Sequence, residues 1–179
     1  MGEQDILKTE LRWAAIAVAA VALIVAVIVI SSVTRMLQPP SHIETIDPAG
    51  LHVSGEFIES NLGTTQNPDG SITVRVIATQ FAFVPHCLAV PVQQAVTLRV
   101  TSPDVIHGFL VAGTNVNTMV VPGYISQIHT VFRNAGNYLM PCHEFCGLGH
   151  SEMWSIVHVL SRSEWHPDVN GRVSCETRR

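Results

Sequence analysis

Charge is scarce in this chain. Asp, Glu, Lys and Arg make up 13% of its 179 residues, against 47% apolar ones. That balance excludes a disordered chain and is unusual for a domain with water on every side. From Leu37 to Asn170 there are ten acidic residues, four arginines and no lysine at all. Such a surface argues against nucleic acid as a partner and admits a basic protein. No internal repeat is present, and no amphipathic helical stretch of useful length follows residue 40. Solenoids and folds built on crossover helices are thereby set aside. The haem-attachment motif C-x-x-C-H is also missing.

The apolar excess is local. Trp13 to Ile30 reads WAAIAVAAVALIVAVIVI, eighteen residues without a charge. With Ser31 to Val33 this run reaches across a hydrocarbon core of about 30 Å at roughly 1.5 Å per residue. A signal peptide is the alternative. The run exceeds a usual apolar region of that kind, and SSVTRMLQPP offers no small-x-small cleavage site. A retained anchor is expected. Lys8 and Arg12 precede the span and Arg35 follows it, which favours the N-terminus inside and the remainder on the periplasmic or equivalent face.

Beyond Pro39 and Pro40 the chain reads as short strands broken by Gly, Pro and Asn. Asn67-Pro-Asp-Gly70 is a turn. Ile72, Val74 and Val76 alternate on one face, as do Val96, Leu98 and Val100. Tyr124 to Phe132, Asn137 to Met140 and Trp154 to Leu160 continue the series. Many short strands without helices between them predict an all-β, antiparallel sandwich or barrel.

Between the last two strands lies PCHEFCGLGHSEM, Pro141 to Met153. Cys142, Cys146, His150 and Met153 place two thiols, an imidazole and a thioether within twelve residues. Gly147 and Gly149 allow the loop to curl. His107, after an earlier strand, is the best distant candidate to join them. Thioether suits copper and is poor for zinc. A structural zinc site would leave Met153 unexplained. One copper would leave a cysteine over. The count fits two coppers sharing both thiolates, each with one His, one capped by Met153 and the other by a carbonyl of the Cys-x3-Cys loop.

Cys142-x-Glu144-x-Cys146-x3-His150-x2-Met153, with SPDVIHGF upstream, resembles the CuA centre of cytochrome c oxidase subunit II. Thr79 to Pro85, Gly113 to Asn117 and Pro122-Gly123 extend the resemblance over nearly the whole chain. The single span and short length are similar to the B-family (ba-type) form. The resemblance implies a cupredoxin-like Greek-key fold behind one transmembrane helix. It implies binuclear copper held by His107, Cys142, the main-chain carbonyl of Glu144, Cys146, His150 and Met153. It further implies an electron-accepting subunit that takes single electrons from cytochrome c or a similar donor and passes them to haem in subunit I, where oxygen is reduced. His150 would face that haem. Asp104 is expected to orient His107, and Phe109, Phe145 and Trp154 to keep water from the sulfurs. His143 has no place in the pattern.

The expected layout is a cytoplasmic N-terminus at 1–12, a transmembrane helix at 13–33, a linker at 34–48, the copper domain at 49–170 and a mobile tail at 171–179. By similarity to B-family subunits, Glu10, three before Trp13, would guard a proton channel in subunit I; a charged flank at a helix start is the plainer reading. Glu144 departs from the short form, which often carries Gln there. In the long form that carboxylate binds magnesium at the subunit I interface; a salt bridge to an arginine of subunit I is the plainer reading. The sequence leaves Cys87 and Cys175 open to pairing. Two other functions compete with the oxidase: a CuA subunit of a nitric oxide reductase-type complex, and a membrane-anchored copper chaperone. The latter is usually built on a thioredoxin-like α/β fold.

Overall fold

Alternation in the sequence becomes alternation in burial. In β3 (Ile72–Thr79), Ile72, Val74 and Val76 are fully buried while Thr73 and Arg75 are partly exposed. The computed structural model describes residues 2–35, 44–51 and 53–175. Residues 36–43, which hold Pro39, Pro40 and most of the expected linker, lie outside the described residues, as do His52 and the last four residues of the tail.

The chain divides into two units. The first contains α1 (Glu3–Arg35), a helix long and apolar enough to cross a membrane, with its side chains exposed from Gln4 to Ile30. It contains the expected span and begins ten residues before Trp13. Good helix formers such as Leu7, Lys8, Glu10 and Arg12 carry it there.

The second unit holds all the strands. One sheet has the order β1 (Glu44–Thr45), β9 (Tyr124–Val131), β6 (Ala95–Thr101), β3, β2 (Gly63–Gln66), β12 (Arg172–Val173), with β4 (Ala82–Val84) paired to β3. A second has the order β10 (Gly136–Pro141), β11 (Trp154–Leu160), β5 (Cys87–Pro91). β7 (His107–Leu110) and β8 (Asn117–Val120) form a separate pair. The all-β, cupredoxin-like expectation is met, but the sheets are mixed rather than antiparallel. β3 lies parallel to β6, and β5 parallel to β11. After β3 and β4 the chain crosses to the other sheet for β5 before returning as β6, so β6 runs in the direction of β3.

Val74, Val76, Leu98 and Val100 of the larger sheet meet Leu88, Val90, Val157 and Val159 of the smaller in one buried cluster. Phe83 and Phe109 pack edge to face within it, centroids 5.5 Å apart. Cys142, Cys146 and Met153 belong to the same cluster.

Two boundaries differ from expectation. Part of the linker is sheet: β1 pairs with β9, and Glu44 accepts from Arg99 Nη2 at 2.8 Å. Arg99 stands beside Arg75 in the parallel register. Glu56 joins these like charges, accepting from Arg75 Nε at 2.9 Å and Arg99 Nε at 2.6 Å. Burial raises its carboxyl, but the Arg99 and Arg75 guanidiniums outweigh this and hold it below the usual range. The start of the tail is also ordered. Arg172 and Val173 pair with Thr65 and Thr64 of β2, and Cys175 is disulfide-bonded to Cys87 with Cα atoms 6.0 Å apart. Gly171, at φ 73°, makes the return: a Cβ there would lie 2.1 Å from the Gln66 carbonyl.

Candidate metal centre

β10 and β11 end side by side, with Pro141 opposite Trp154. The Cys142 N–H donates to the Met153 carbonyl at 3.0 Å, closing the neck of the loop between them. Inside the loop His150 N–H donates to Gly147 O at 3.1 Å, and Met153 N–H to His150 O at 3.2 Å. A sheet end thus holds a tight loop whose Cys142, Cys146 and Met153 side chains turn back toward the core.

The sulfurs meet there. Cys142 Sγ stands 3.8 Å from Cys146 Sγ and 3.9 Å from His107 Nδ1. Cys146 Sγ stands 3.7 Å from His150 Nδ1 and 3.7 Å from Met153 Sδ. The Glu144 carbonyl oxygen is 3.2 Å from Cys142 Sγ. Two atoms bound to one ion at about 2.0–2.3 Å near the tetrahedral angle stand roughly 3.3–3.8 Å apart. Separations of 3.7–3.9 Å are compatible with shared metal ions and also with van der Waals contact between packed side chains. His107, Cys142 and Cys146 alone offer three buried ligand atoms within 4.8 Å of one another.

Burial, and then the neighbouring Cys142, push the Cys146 thiol up to about 11. Two adjacent thiolates here would need a cation to exist together, which a bound metal would supply. His107 is fully buried, with Nε2 2.9 Å from Asp104 Oδ1. Asp104 also accepts from Val105 N at 2.6 Å, Thr79 Oγ1 at 2.9 Å and Gln80 N at 2.7 Å. Burial pushes its carboxyl up, but the bonds from His107, Gln80, Val105 and Thr79 prevail and hold it well below the usual carboxylate range. A charged Asp104 keeps the imidazole proton on Nε2, leaving the Nδ1 lone pair toward Cys142.

The family description "Cytochrome C oxidase subunit II, periplasmic domain" matches residues 72–160. A cytochrome c oxidase subunit 2 of Thermus thermophilus is 33% identical over 156 residues, covering 86% of this chain and 93% of that protein. The chain belongs to the cytochrome c oxidase subunit 2 family. A second subunit 2 from Thermus thermophilus is 36% identical over 126 residues, 70% of this chain and 93% of that one. A chain of a heme-copper terminal oxidase dimer solved by cryo-EM has a TM-score of 0.58 at 24% identity, covering 83% of this chain and 99% of that chain. That likeness is one of fold.

The aromatic residues of the site divide. Phe109 is wholly buried against the core. Phe145 is 73% exposed, its ring edge on to His150 at 5.9 Å, and Trp154 is 51% exposed with Nε1 donating to Ser151 O. The expectation that all three keep water from the sulfurs is corrected for the latter two: within this chain they point off the sheet end into solvent. His143 lies against Gly108 of β7. A Cβ at Gly108 would meet His143 Nδ1 at 2.3 Å and Glu144 N at 2.7 Å. Sequence reasoning missed Gly108. The available signal was a glycine inside an apolar strand beside a candidate ligand, which often marks close approach of another backbone.

Proposed function

We propose that this subunit 2 holds a binuclear copper centre, CuA, and is the electron-accepting subunit of a terminal respiratory oxidase. The observation that carries this reading is the pair of thiols 3.8 Å apart with one imidazole against each. His107, Cys142, Cys146, His150, Met153 and the Glu144 carbonyl would hold the metal. The bound copper pair supplies one-electron chemistry spread over two ions. Electrons would come from cytochrome c or a similar donor and leave by His150 toward haem in subunit I, which reduces oxygen to water. This chain's own part is to keep its donors where both redox states need them. Asp104 fixes the His107 ring, the closed loop neck fixes the sulfurs, and Phe109 keeps the inner side dry. α1 would anchor the domain as a single pass, N-terminus in the cytoplasm and copper domain on the periplasmic face.

The test uses the full chain in detergent, loaded with copper. Two coppers per chain and a seven-line electron paramagnetic resonance pattern are expected. A four-line pattern means one copper and refutes the binuclear reading.

Glu144 separates main chain from side chain. Glu144→Gln should retain both coppers with a modest change of potential, since only a nearby charge is removed. Loss of a copper would put the carboxylate on the metal and overturn the ligand set. In the assembled oxidase, loss of magnesium with copper intact would support a hard-cation site through this carboxylate at the subunit I interface.

Glu10 lies on α1 three residues before Trp13. As a proton-uptake residue at the mouth of a subunit I channel, it should slow turnover severalfold when changed to Gln, leaving the copper spectrum untouched. Unaltered oxygen consumption would return it to an ordinary charged residue of the helix start.

A further inference from the structure

We propose that Gln80 is a positioning residue of the metal centre, clamping the backbone that carries Cys146. This inference rests on the copper reading above. Gln80 sits at the corner between β3 and β4. Its side-chain Nε2 donates to the Cys146 carbonyl at 2.6 Å across 66 residues of chain. Its main-chain N–H donates to Asp104 Oδ2 at 2.7 Å. The other oxygen of that carboxylate holds His107 Nε2 at 2.9 Å. One residue thus supports two ligands at once: His107, which faces Cys142, and Cys146 itself.

Phe81 completes the contact. A Cβ on Gly147 would lie 2.9 Å from the Phe81 ring and 3.0 Å from Gln80 Nε2. On Gly149 it would lie 2.6 Å from the same ring. The two glycines let the loop lie flat on the Gln80–Phe81 corner, and that close approach is what brings the amide within reach of the carbonyl. A hydrogen bond to the carbonyl of a ligating cysteine limits rotation of that peptide. It therefore limits the direction of the Sγ, which must serve Cys142, His150 and Met153 together. Sequence spacing gave no sign of this, because Gln80 bears no ligand atom.

The test compares wild type with Gln80→Glu, equal in size but without the N–H donor, and Gln80→Ala, in the full chain in detergent. Each variant should still take up two coppers from excess and release them to a competing chelator about 10–100-fold more readily than wild type. The thermal midpoint of the metal-free chain should stay within a few degrees, which separates positioning from general stability. In the metal-free wild type, the Gln80 side-chain amide should exchange with solvent at least tenfold more slowly than a free glutamine amide. Wild type that binds no copper pair overturns both the copper reading and the clamp. Wild type that loads normally, with both variants holding copper as tightly, overturns the clamp alone. If neither variant folds, the amide exchange decides: free exchange refutes the hydrogen bond and slow exchange supports it.

Discussion

Cys146→Ser should leave the chain with at most one copper and without the seven-line pattern. Cys146 Sγ stands 3.8 Å from Cys142 Sγ, 3.7 Å from His150 Nδ1 and 3.7 Å from Met153 Sδ. A serine hydroxyl at this place stays protonated, is a hard donor, and cannot bridge or neutralise two soft cations. The loss of affinity should exceed the roughly 10–100-fold that follows removal of an outer hydrogen-bonding partner. Cys142→Ser should behave alike. Without metal the cost to folding is on the order of 1–3 kcal/mol for a hydroxyl in a buried place, less than the stability of an ordinary domain. The variants should therefore fold, and copper per chain by mass spectrometry reads the effect directly. Two coppers with the wild-type signal in either variant would refute a thiolate-bridged pair.

Gly108→Ala should weaken copper binding although Gly108 carries no ligand. The new methyl would stand 2.3 Å from His143 Nδ1 and 2.7 Å from Glu144 N. The His143 ring is at the surface and can swing away. The Glu144 nitrogen is main chain, between the two cysteines, and yields only if that part of the loop moves outward. Ordinary contact begins at 3.4 Å, so the shift is about 0.7 Å (3.4 − 2.7) unless β7 gives instead. Displacing the Glu144 carbonyl and both thiols by such an amount should lower affinity about 10–100-fold, as disturbed support of ligands does elsewhere. The double variant Gly108→Ala, His143→Ala should not recover it, because the main-chain clash persists. Full recovery would place the effect in the imidazole, and wild-type affinity in the single variant would refute the steric account.

The candidate donors were legible because four of them fall within twelve residues and include a thioether, a combination with few other uses. The all-β class was legible from period-two alternation such as Ile72, Val74 and Val76. Strand direction was not, since alternation is the same whether a neighbour runs parallel or antiparallel. The β3–β6 and β5–β11 pairings follow from where the chain crosses between sheets. Nor could spacing decide the Cys87–Cys175 bond, which depends on two Cα atoms 88 residues apart coming within 6.0 Å. Phe145 and Trp154 were expected over the sulfurs; Phe145 lies in an irregular loop, which has no period to tell which way a side chain points, whereas Trp154 opens β11 and shares the outward face of that strand with Ile156. Gly108 and Gln80 act through single contacts with distant main chain, a kind of information that no local pattern contains.

The sequence distances within the site also constrain the order in which it forms. His107 reaches Cys142 across 35 residues, and Gln80 reaches Cys146 across 66. Closing loops of that length is entropically uphill until the sheets reward it, so such contacts come late in folding. A newly made chain can offer copper only the local set, Cys142, Cys146, His150 and Met153, at a time when His107 is still elsewhere. Copper delivered too early would meet an incomplete and adaptable loop. The full donor set of the proposed copper site would come together only once β3, β6 and β7 have docked, so metal insertion would follow folding as a step of maturation.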